Sequence, residues 1–355
     1  MRPTATSTIV ATATAVPAHA AGQPAVQRAL RALFPLDGRR MNAVMTIFEN
    51  AQIENRYSVY PVEQIGRRKS LTQTTEEYRT HAVALARAVA ARALATARVA
   101  ARDIDLIITT SCTGIMIPSV DAYLVDALGF RSDVRRLPIT ELGCVGGAAA
   151  LARANDFLRG FPDANVLVVA VELPSLSLQR DDTTPANLVA SALFGDGAAA
   201  VVLTGGGGRP GVRVLETLSH IFPRSTEALG FDLHEDGFHS VISKDIPAIL
   251  KSEIGALVDR LAARAGLTRA DLACFVLHPG GRKILGAVED ELGLAREATQ
   301  PSWNVLRDYG NQSSASVLFV LHEWLTRHRP PPETNGVLAA FGPGLTTELL
   351  LLRWS

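Results

Sequence analysis

The sequence predicts an α/β fold in two halves, on three observations. Short apolar runs alternate with stretches of helical spacing, as in layered α/β proteins. At 355 residues the chain is long enough for two ordinary domains or one large duplicated one. One glycine-rich break, Gly205-Gly206-Gly207-Gly208-Arg209-Pro210, interrupts both pattern and composition. It separates residues 1–204 from residues 211–355. Residues 8–16 read as an opening strand ending at Pro17; the stretch is Thr-rich and too weakly apolar for a secretory signal. Residues 80–99 are Ala-rich with helical spacing, their arginines on a solvated face. Residues 105–110 and 165–172 read as buried strands. In the second half, an apolar strand over residues 274–277 runs into His278-Pro279-Gly280-Gly281, which cannot continue it. Residues 317–321 are helical, and residues 336–345 and 349–353 read as strand, turn and strand.

Composition narrows the function. A content of 47% hydrophobic and 20% charged residues suits a large core. With 35 basic and 35 acidic residues the net charge is zero, which points away from nucleic acid or an anionic membrane surface as main partner. No apolar run is long enough to span a bilayer. Three cysteines without a close CxxC pair fit neither a disulfide scaffold nor a zinc site and suit a reducing cytoplasm.

Cys144 lies in Glu141-Leu142-Gly143-Cys144-Val145-Gly146-Gly147-Ala148, a turn entering a run of small residues that reads as the start of a helix. A helix N-terminus favours thiolate, and the glycines allow other backbone to approach closely. His278 ends a strand, where side chains face a crevice. Asn311, in Asp308-Tyr309-Gly310-Asn311-Gln312-Ser313-Ser314, precedes a helix, an ordinary place for a cap. Each residue alone has a structural reading. Together they make a nucleophile, a proton-transfer group and an amide donor.

These motifs occur in order with Thr110-Ser111-Cys112-Thr113-Gly114, Ala192-Leu193-Phe194-Gly195-Asp196-Gly197-Ala198-Ala199 and Phe341-Gly342-Pro343-Gly344. The chain thereby resembles, over nearly its whole length, the type III polyketide synthases, the chalcone synthase-like branch of the thiolase-fold condensing enzymes. Residues 178–182 and 187–190 look most like bacterial members that use long acyl starters, the alkylpyrone and alkylresorcinol synthases. The resemblance implies a five-layered αβαβα fold of two duplicated halves, with the cysteine in residues 1–204 and the histidine and asparagine in residues 211–355. It also implies a cytoplasmic homodimer that takes acyl-CoA and malonyl-CoA, with no metal or other cofactor. Cys144 would hold the acyl chain as a thioester. His278 would pair with it, and His278 and Asn311 would stabilise the enolate left when malonyl-CoA loses CO2.

The resemblance assigns Arg56, Arg282 and Lys283 to the CoA phosphates. It places Cys112, Thr113, Pro174, Ser177, Phe194, Phe231, Ser240, Ser313 and Phe341 around the cavity, with Gly342, Pro343 and Gly344 shaping its floor. Pro174 is expected to bend a strand, and Ser240, where plant enzymes place a phenylalanine, to widen the passage. Phe194 is a candidate gate, and Phe231 fills a position that is glycine in the plant enzymes. The expected product is an alkylpyrone or alkylresorcinol. The alternatives are a malonyl-primed tetrahydroxynaphthalene synthase, a carrier-protein-dependent ketoacyl synthase and a cysteine-dependent acyl-thioester hydrolase.

Overall fold

A computed structural model describes residues 7–206 and 208–355; residues 1–6 of the first predicted half and Gly207 of the break lie outside the described residues. The strands are β1 (Ser7–Ala15), β2 (His19–Gly22), β3 (Asn55–Ser58), β4 (Leu106–Thr110), β5 (Arg135–Ile139), β6 (Asn165–Glu172), β7 (Gly197–Thr204), β8 (Val212–Ile221), β9 (Leu229–His234), β10 (Gly237–Ile242), β11 (Leu272–Leu277), β12 (Asn335–Gly342) and β13 (Thr346–Trp354). The helices are α1 (Gln23–Leu33), α2 (Gly38–Asn50), α3 (Leu71–Ala97), α4 (Val120–Leu128), α5 (Gly146–Gly160), α6 (Pro185–Leu193), α7 (Ile246–Arg264), α8 (Arg282–Leu292), α9 (Arg296–Tyr309) and α10 (Ser316–Glu323).

Nine strands form one mixed sheet in the order β11-β12-β13-β8-β1-β7-β6-β4-β5. From the central β1–β8 pair, the runs β1-β7-β6-β4 and β8-β13-β12-β11 repeat the same pairings: antiparallel, antiparallel, parallel. The two halves are duplicates in topology. Residue parity shows the layers, because successive strand side chains point to opposite faces. Val166, Val168 and Ala170 of β6 pack with α5 and α10, while Leu167, Val169 and Val171 pack with α3. In the second half Leu338 and Ala340 of β12 face the same central helices, and Val337 and Ala339 face α7. The result is helix, sheet, paired helices, sheet, helix: the αβαβα architecture. Among the described residues no helix is long and apolar enough to cross a membrane.

The central helices touch through glycine. A Cβ at Gly147 would sit 2.2 Å from the Ser314 carbonyl oxygen, a contact with rigid backbone. Gly147→Ala is therefore expected to destabilise the protein by about 3 kcal/mol or more, read as a lower denaturation midpoint at unchanged slope.

Two local differences from the sequence reading have plain causes. Helix α3 starts nine residues before residue 80, at Leu71, because Ser70 and Gln73 form a reciprocal capping box. Pro174 does not bend a strand: β6 ends at Glu172, and Pro174 opens a 3₁₀ turn, where a missing N–H costs nothing.

Candidate active site

Each central helix is entered through a 3₁₀ turn that carries a candidate reactive group. Cys144 lies in the turn Gly143–Val145 before α5, and Asn311 lies just ahead of the turn Ser313–Ala315 before α10. The duplication thus places the two near the entrances of equivalent helices in the two halves, although the residue in register with Cys144 is Ser314. Gly143 has φ +52°, and the Pro343 ring occupies the space of its missing side chain, with Cδ 2.6 Å from an ideal Cβ. A Cβ at Gly342 would meet the Leu142 carbonyl oxygen at 2.6 Å, so Gly342 and Pro343 underlie the Cys144 turn. Gly344 sits in the β12–β13 turn at φ +67°.

Ser313 joins the halves. Its φ of 48° is unusual for a side-chain-bearing residue and is held by its N–H, which donates to Asn311 Oδ1 at 2.8 Å. This places Ser313 Oγ 3.5 Å from Cys144 Sγ and 3.2 Å from Cys112 Sγ. Asn311 Oδ1 also accepts from Ser316 Oγ at 3.3 Å, which fixes the orientation of the amide. Its NH2 end then points away from the cap. It donates to the Gly280 carbonyl at 3.5 Å and also hydrogen-bonds toward Cys144. Gly280 is two residues beyond His278, itself one residue past the end of β11, 2% exposed and anchored by its N–H to Ala339 O at 2.8 Å. His278 Nδ1 has no hydrogen-bond partner among the described residues.

Sequence reasoning missed Glu172. It ends a strand whose six preceding residues, Val166 to Val171, are apolar, and a lone carboxylate after such a run was the available signal. Fully buried, it accepts from the Cys112 N–H at 3.1 Å, Thr113 Oγ1 at 2.8 Å, Ser111 Oγ at 3.2 Å and the Ser314 hydroxyl. Burial pushes its carboxyl up against these bonds. Burial also raises Cys112 well above the usual thiol range, with Glu172 adding to the effect, so this cysteine stays a thiol in the wall.

The electrostatics of Cys144 differ from the expectation of a helix-lowered thiol. Burial pushes it up to about 11, against hydrogen bonds from Ser313 and Asn311 that favour the thiolate. Burial also holds the His278 imidazole down at about 3. Each group alone resists charge. A proton passed from Sγ to a neighbouring imidazole would create two opposite charges that offset each other, which is the pairing the resemblance implies for Cys144 and His278.

Above Cys144 a narrow chamber of about 30 Å³ is lined by Cys112, Gly143, Cys144, Phe194, Phe231, Ser240, Ser313 and Pro343, among others. Phe194, Phe231, Ser240 and Ser313 also border an apolar cavity of about 100 Å³ that adds Thr113, Pro174 and Ser177 with Val26, Leu30 and Leu33 of α1. Ser240 pairs across β9–β10 with Phe231, so the space left by the serine is met by an aromatic ring from the neighbouring strand. A more polar groove of about 140 Å³ shares Ile65, Thr113, Ser175, Ser177 and Leu178 with the apolar cavity. Arg67, Arg68, Lys69 and Arg180 line it.

Of the remaining expected residues one borders a cavity and three lie elsewhere. Arg56 borders the apolar cavity but is 7% exposed, its guanidinium donating to Ser191 O and Gln23 Oε1, both at 2.6 Å, and burial lowers it to about 10; these bonds clamp β3 to α6. Arg282 and Lys283 stand exposed at the start of α8, outside these three cavities. Phe341 is buried in the core beside α7 and α8 instead of lining the cavity. The basic run Arg67-Arg68-Lys69, plain in the sequence, is what borders the groove.

The comparisons agree across the whole chain. Residues 2–207 match the N-terminal domain, and residues 214–354 the C-terminal domain, of chalcone and stilbene synthases. A 1,3,6,8-tetrahydroxynaphthalene synthase of Streptomyces peucetius subsp. caesius is 41% identical over 352 residues, covering 98% of this chain and 93% of that protein. The crystal structure of the 1,3,6,8-tetrahydroxynaphthalene synthase of Streptomyces coelicolor A3(2) superposes with a TM-score of 0.94 at 34% identity, covering 98% of this chain and 99% of that one. The structure of CsyB complexed with CoA-SH superposes with a TM-score of 0.91 at 27% identity, covering 98% of this chain and 100% of that one.

Proposed function

Since the chain belongs to the chalcone and stilbene synthase family of type III polyketide synthases, and so is a condensing acyltransferase that uses CoA thioesters, we propose that it builds a tetrahydroxynaphthalene-type product from malonyl-CoA alone. The observation that carries this reading is the 41% identity, over 98% of the chain, with the Streptomyces peucetius tetrahydroxynaphthalene synthase. It displaces the alkylpyrone or alkylresorcinol expected from the sequence, which rested on the resemblance of residues 178–182 and 187–190 to long-starter enzymes and on the small Ser240. Phe231 opposite that serine removes much of the reason to expect a wider passage.

In this reading the Cys144 thiolate attacks the thioester carbonyl of malonyl-CoA, the C–S bond to CoA breaks, and the departing CoA thiolate takes up the proton held on His278. A second malonyl-CoA loses CO2, and the electron pair of the broken C–C bond becomes an enolate. Its oxygen receives hydrogen bonds from the His278 ring and the Asn311 NH2. A neutral imidazole suits this step, since it stabilises the oxyanion without quenching the carbanion. The carbanion then attacks the Cys144 thioester; a C–C bond forms and the C–S bond breaks. A ten-carbon naphthalene skeleton needs five two-carbon units, with one CO2 lost per unit. The orphan Nδ1 of His278 weighs against the hydrolase, which would orient its histidine through that atom, because Asn311 Oδ1 is already taken by Ser313 and Ser316. The Pro-Gly-Gly after His278 separates the chain from the carrier-protein-dependent ketoacyl synthases.

Isotope-labelled malonyl-CoA, offered alone and beside a ladder of acyl-CoA starters, tests the reading by mass spectrometry. A labelled tetrahydroxynaphthalene from malonyl-CoA alone is expected. Product appearing only with a fatty acyl-CoA would replace this reading with the pyrone, and free acid without labelled CO2 would replace it with the hydrolase.

The basic groove is the natural seat for CoA phosphates. Arg68 is paired with Asp181 and Lys69 with Glu77, whereas Arg67 is exposed without an acidic partner among the described residues. Arg67→Ala is expected to raise KM for malonyl-CoA about fivefold at unchanged kcat, with the difference shrinking in high salt.

We assign the outer edge of β5 to a second copy of the chain. Among the described residues the strand is unpaired on that side, and the segment from β4 to α5 exposes Ile115, Leu137, Leu142 and Ile117, the last 95% exposed. Sedimentation at twice the chain mass, lost in Leu137→Lys, is the expected outcome. The three cysteines are free thiols, which suits a reducing cytoplasm.

A further inference from the structure

The outer face of the β9–β10 hairpin collects a set of side chains that the condensing reaction does not use. A two-residue turn, Glu235-Asp236, joins the strands, and the register pairs His234 with Gly237 and Asp232 with His239. Strand alternation therefore turns Phe231 and Ser240 to the cavity and His234 and His239 to the other side. There His234, Asp236 and His239 each offer a ligand atom, all within 4.8 Å of one another, and the two imidazole rings lie 4.3 Å apart between centroids. His239 Nε2 is 2.9 Å from Asp236 Oδ1. Its other nitrogen, Nδ1, is 3.2 Å from Asp182 Oδ2, on the segment leading into α6; Asp182 is itself fixed by the Thr184 N–H donating to Oδ1 at 2.8 Å.

We propose that this cluster is a zinc site, with one imidazole nitrogen of His234, a carboxylate oxygen of Asp236 and His239 Nε2 as ligands and water completing the coordination. Two imidazoles and one carboxylate form a donor set that zinc takes in three-ligand sites, whereas calcium and magnesium prefer all-oxygen surroundings. Asp182 supplies the second observation. A ligating histidine characteristically donates its remaining ring N–H to a carboxylate, which fixes the tautomer and aims the free nitrogen at the metal. The His239–Asp182 contact already has that form, with Nε2 aimed at Asp236. The His234 side chain makes no hydrogen bond among the described residues, so a simple Asp–His–Asp ladder would leave it without a role. Occupancy would fasten the tip of the hairpin to the segment before α6. The other face of that hairpin carries Phe231 and Ser240, so the metal would stiffen the cavity wall from outside.

The test is isothermal titration of the untagged full-length chain with Zn²⁺ alone. One saturable site per chain is expected, unchanged in Cys144→Ala, which removes the cavity thiol as an alternative zinc ligand. His234→Ala and His239→Ala should each abolish that site, and Asp182→Asn should weaken it roughly 10- to 100-fold. Cobalt supplied as a spectroscopic substitute should give a visible absorption band that disappears in the same variants. These side chains sit on an outer hairpin face, so circular dichroism and product formation serve as the folding control. Absence of a saturable site, or one zinc per chain surviving in the His234→Ala/His239→Ala double variant, would overturn the proposal.

Discussion

Cys144→Ala is expected to cut product formation by at least about 10,000-fold while leaving CO2 release from malonyl-CoA within about tenfold of the intact enzyme. The two steps draw on different atoms. Holding and extending the chain needs the sulfur, because a thioester must form and then be attacked. Decarboxylation needs donors for an enolate oxygen, and the proposed donors are the His278 ring and the Asn311 NH2. The Asn311 amide is oriented by Ser313 and Ser316, not by the thiol, so alanine at position 144 leaves it in place. Labelled CO2 collected beside product analysis checks both halves of the expectation. Loss of both signals together would mean that decarboxylation requires the acyl-enzyme.

His278→Ala is expected to slow alkylation of Cys144 by iodoacetamide at pH 7 about 100-fold or more, and to abolish condensation. Burial holds the thiol at about 11, so without a base to take its proton roughly one molecule in 10,000 carries a thiolate at pH 7. The sign of the pH dependence follows. In the variant the labelling rate should rise about tenfold per pH unit up to the thiol pKa, whereas the paired thiolate of the intact enzyme should label with little dependence near neutrality. The other thiols give a low background: burial raises Cys112 well above the usual range and Cys274 to about 12. Cys144→Ala provides the blank. Unchanged labelling at pH 7 would show that something other than His278 takes the proton.

What the sequence disclosed depended on whether the deciding physics was local. Strand β6 is readable, since a continuous apolar run over residues 166–171, closed by Asn165 and Glu172, has one stable environment, a strand covered on both faces. The Cys144 turn and the helix after it are equally local, because small residues in succession announce close packing. The start of α3 escaped notice although the capping pair Ser70 and Gln73 was there to read, since its first turns are polar and lack the apolar stripe. Arg56 illustrates the non-local case: its burial is created by Ser191 and Gln23, distant along the chain, and no pattern around residue 56 announces it. Glu172 was written in the sequence as an acid at the end of an apolar strand, but its four neighbouring donors come from two other segments. The shift of the Cys144 thiol is of the same kind. A helix terminus predicts the sign of its own field, while the opposing desolvation comes from the completed cavity.

The contact between Cys144 and Ser313 spans 169 positions of chain, and this has a consequence for the order of events in the cell. Contacts so distant in sequence form late, after the loop-closure entropy of most of the chain has been met. A protein still being synthesised, with the Cys144 turn already made but residues 311–323 not yet emerged, lacks the Ser313 hydroxyl and the Asn311 amide that the proposed mechanism sets beside the thiol. Its nucleophile is silent until the last quarter of the chain is in place. Acquisition of reactivity is therefore coupled to completion of the fold, and an unfinished chain is spared premature acylation by the thioesters around it.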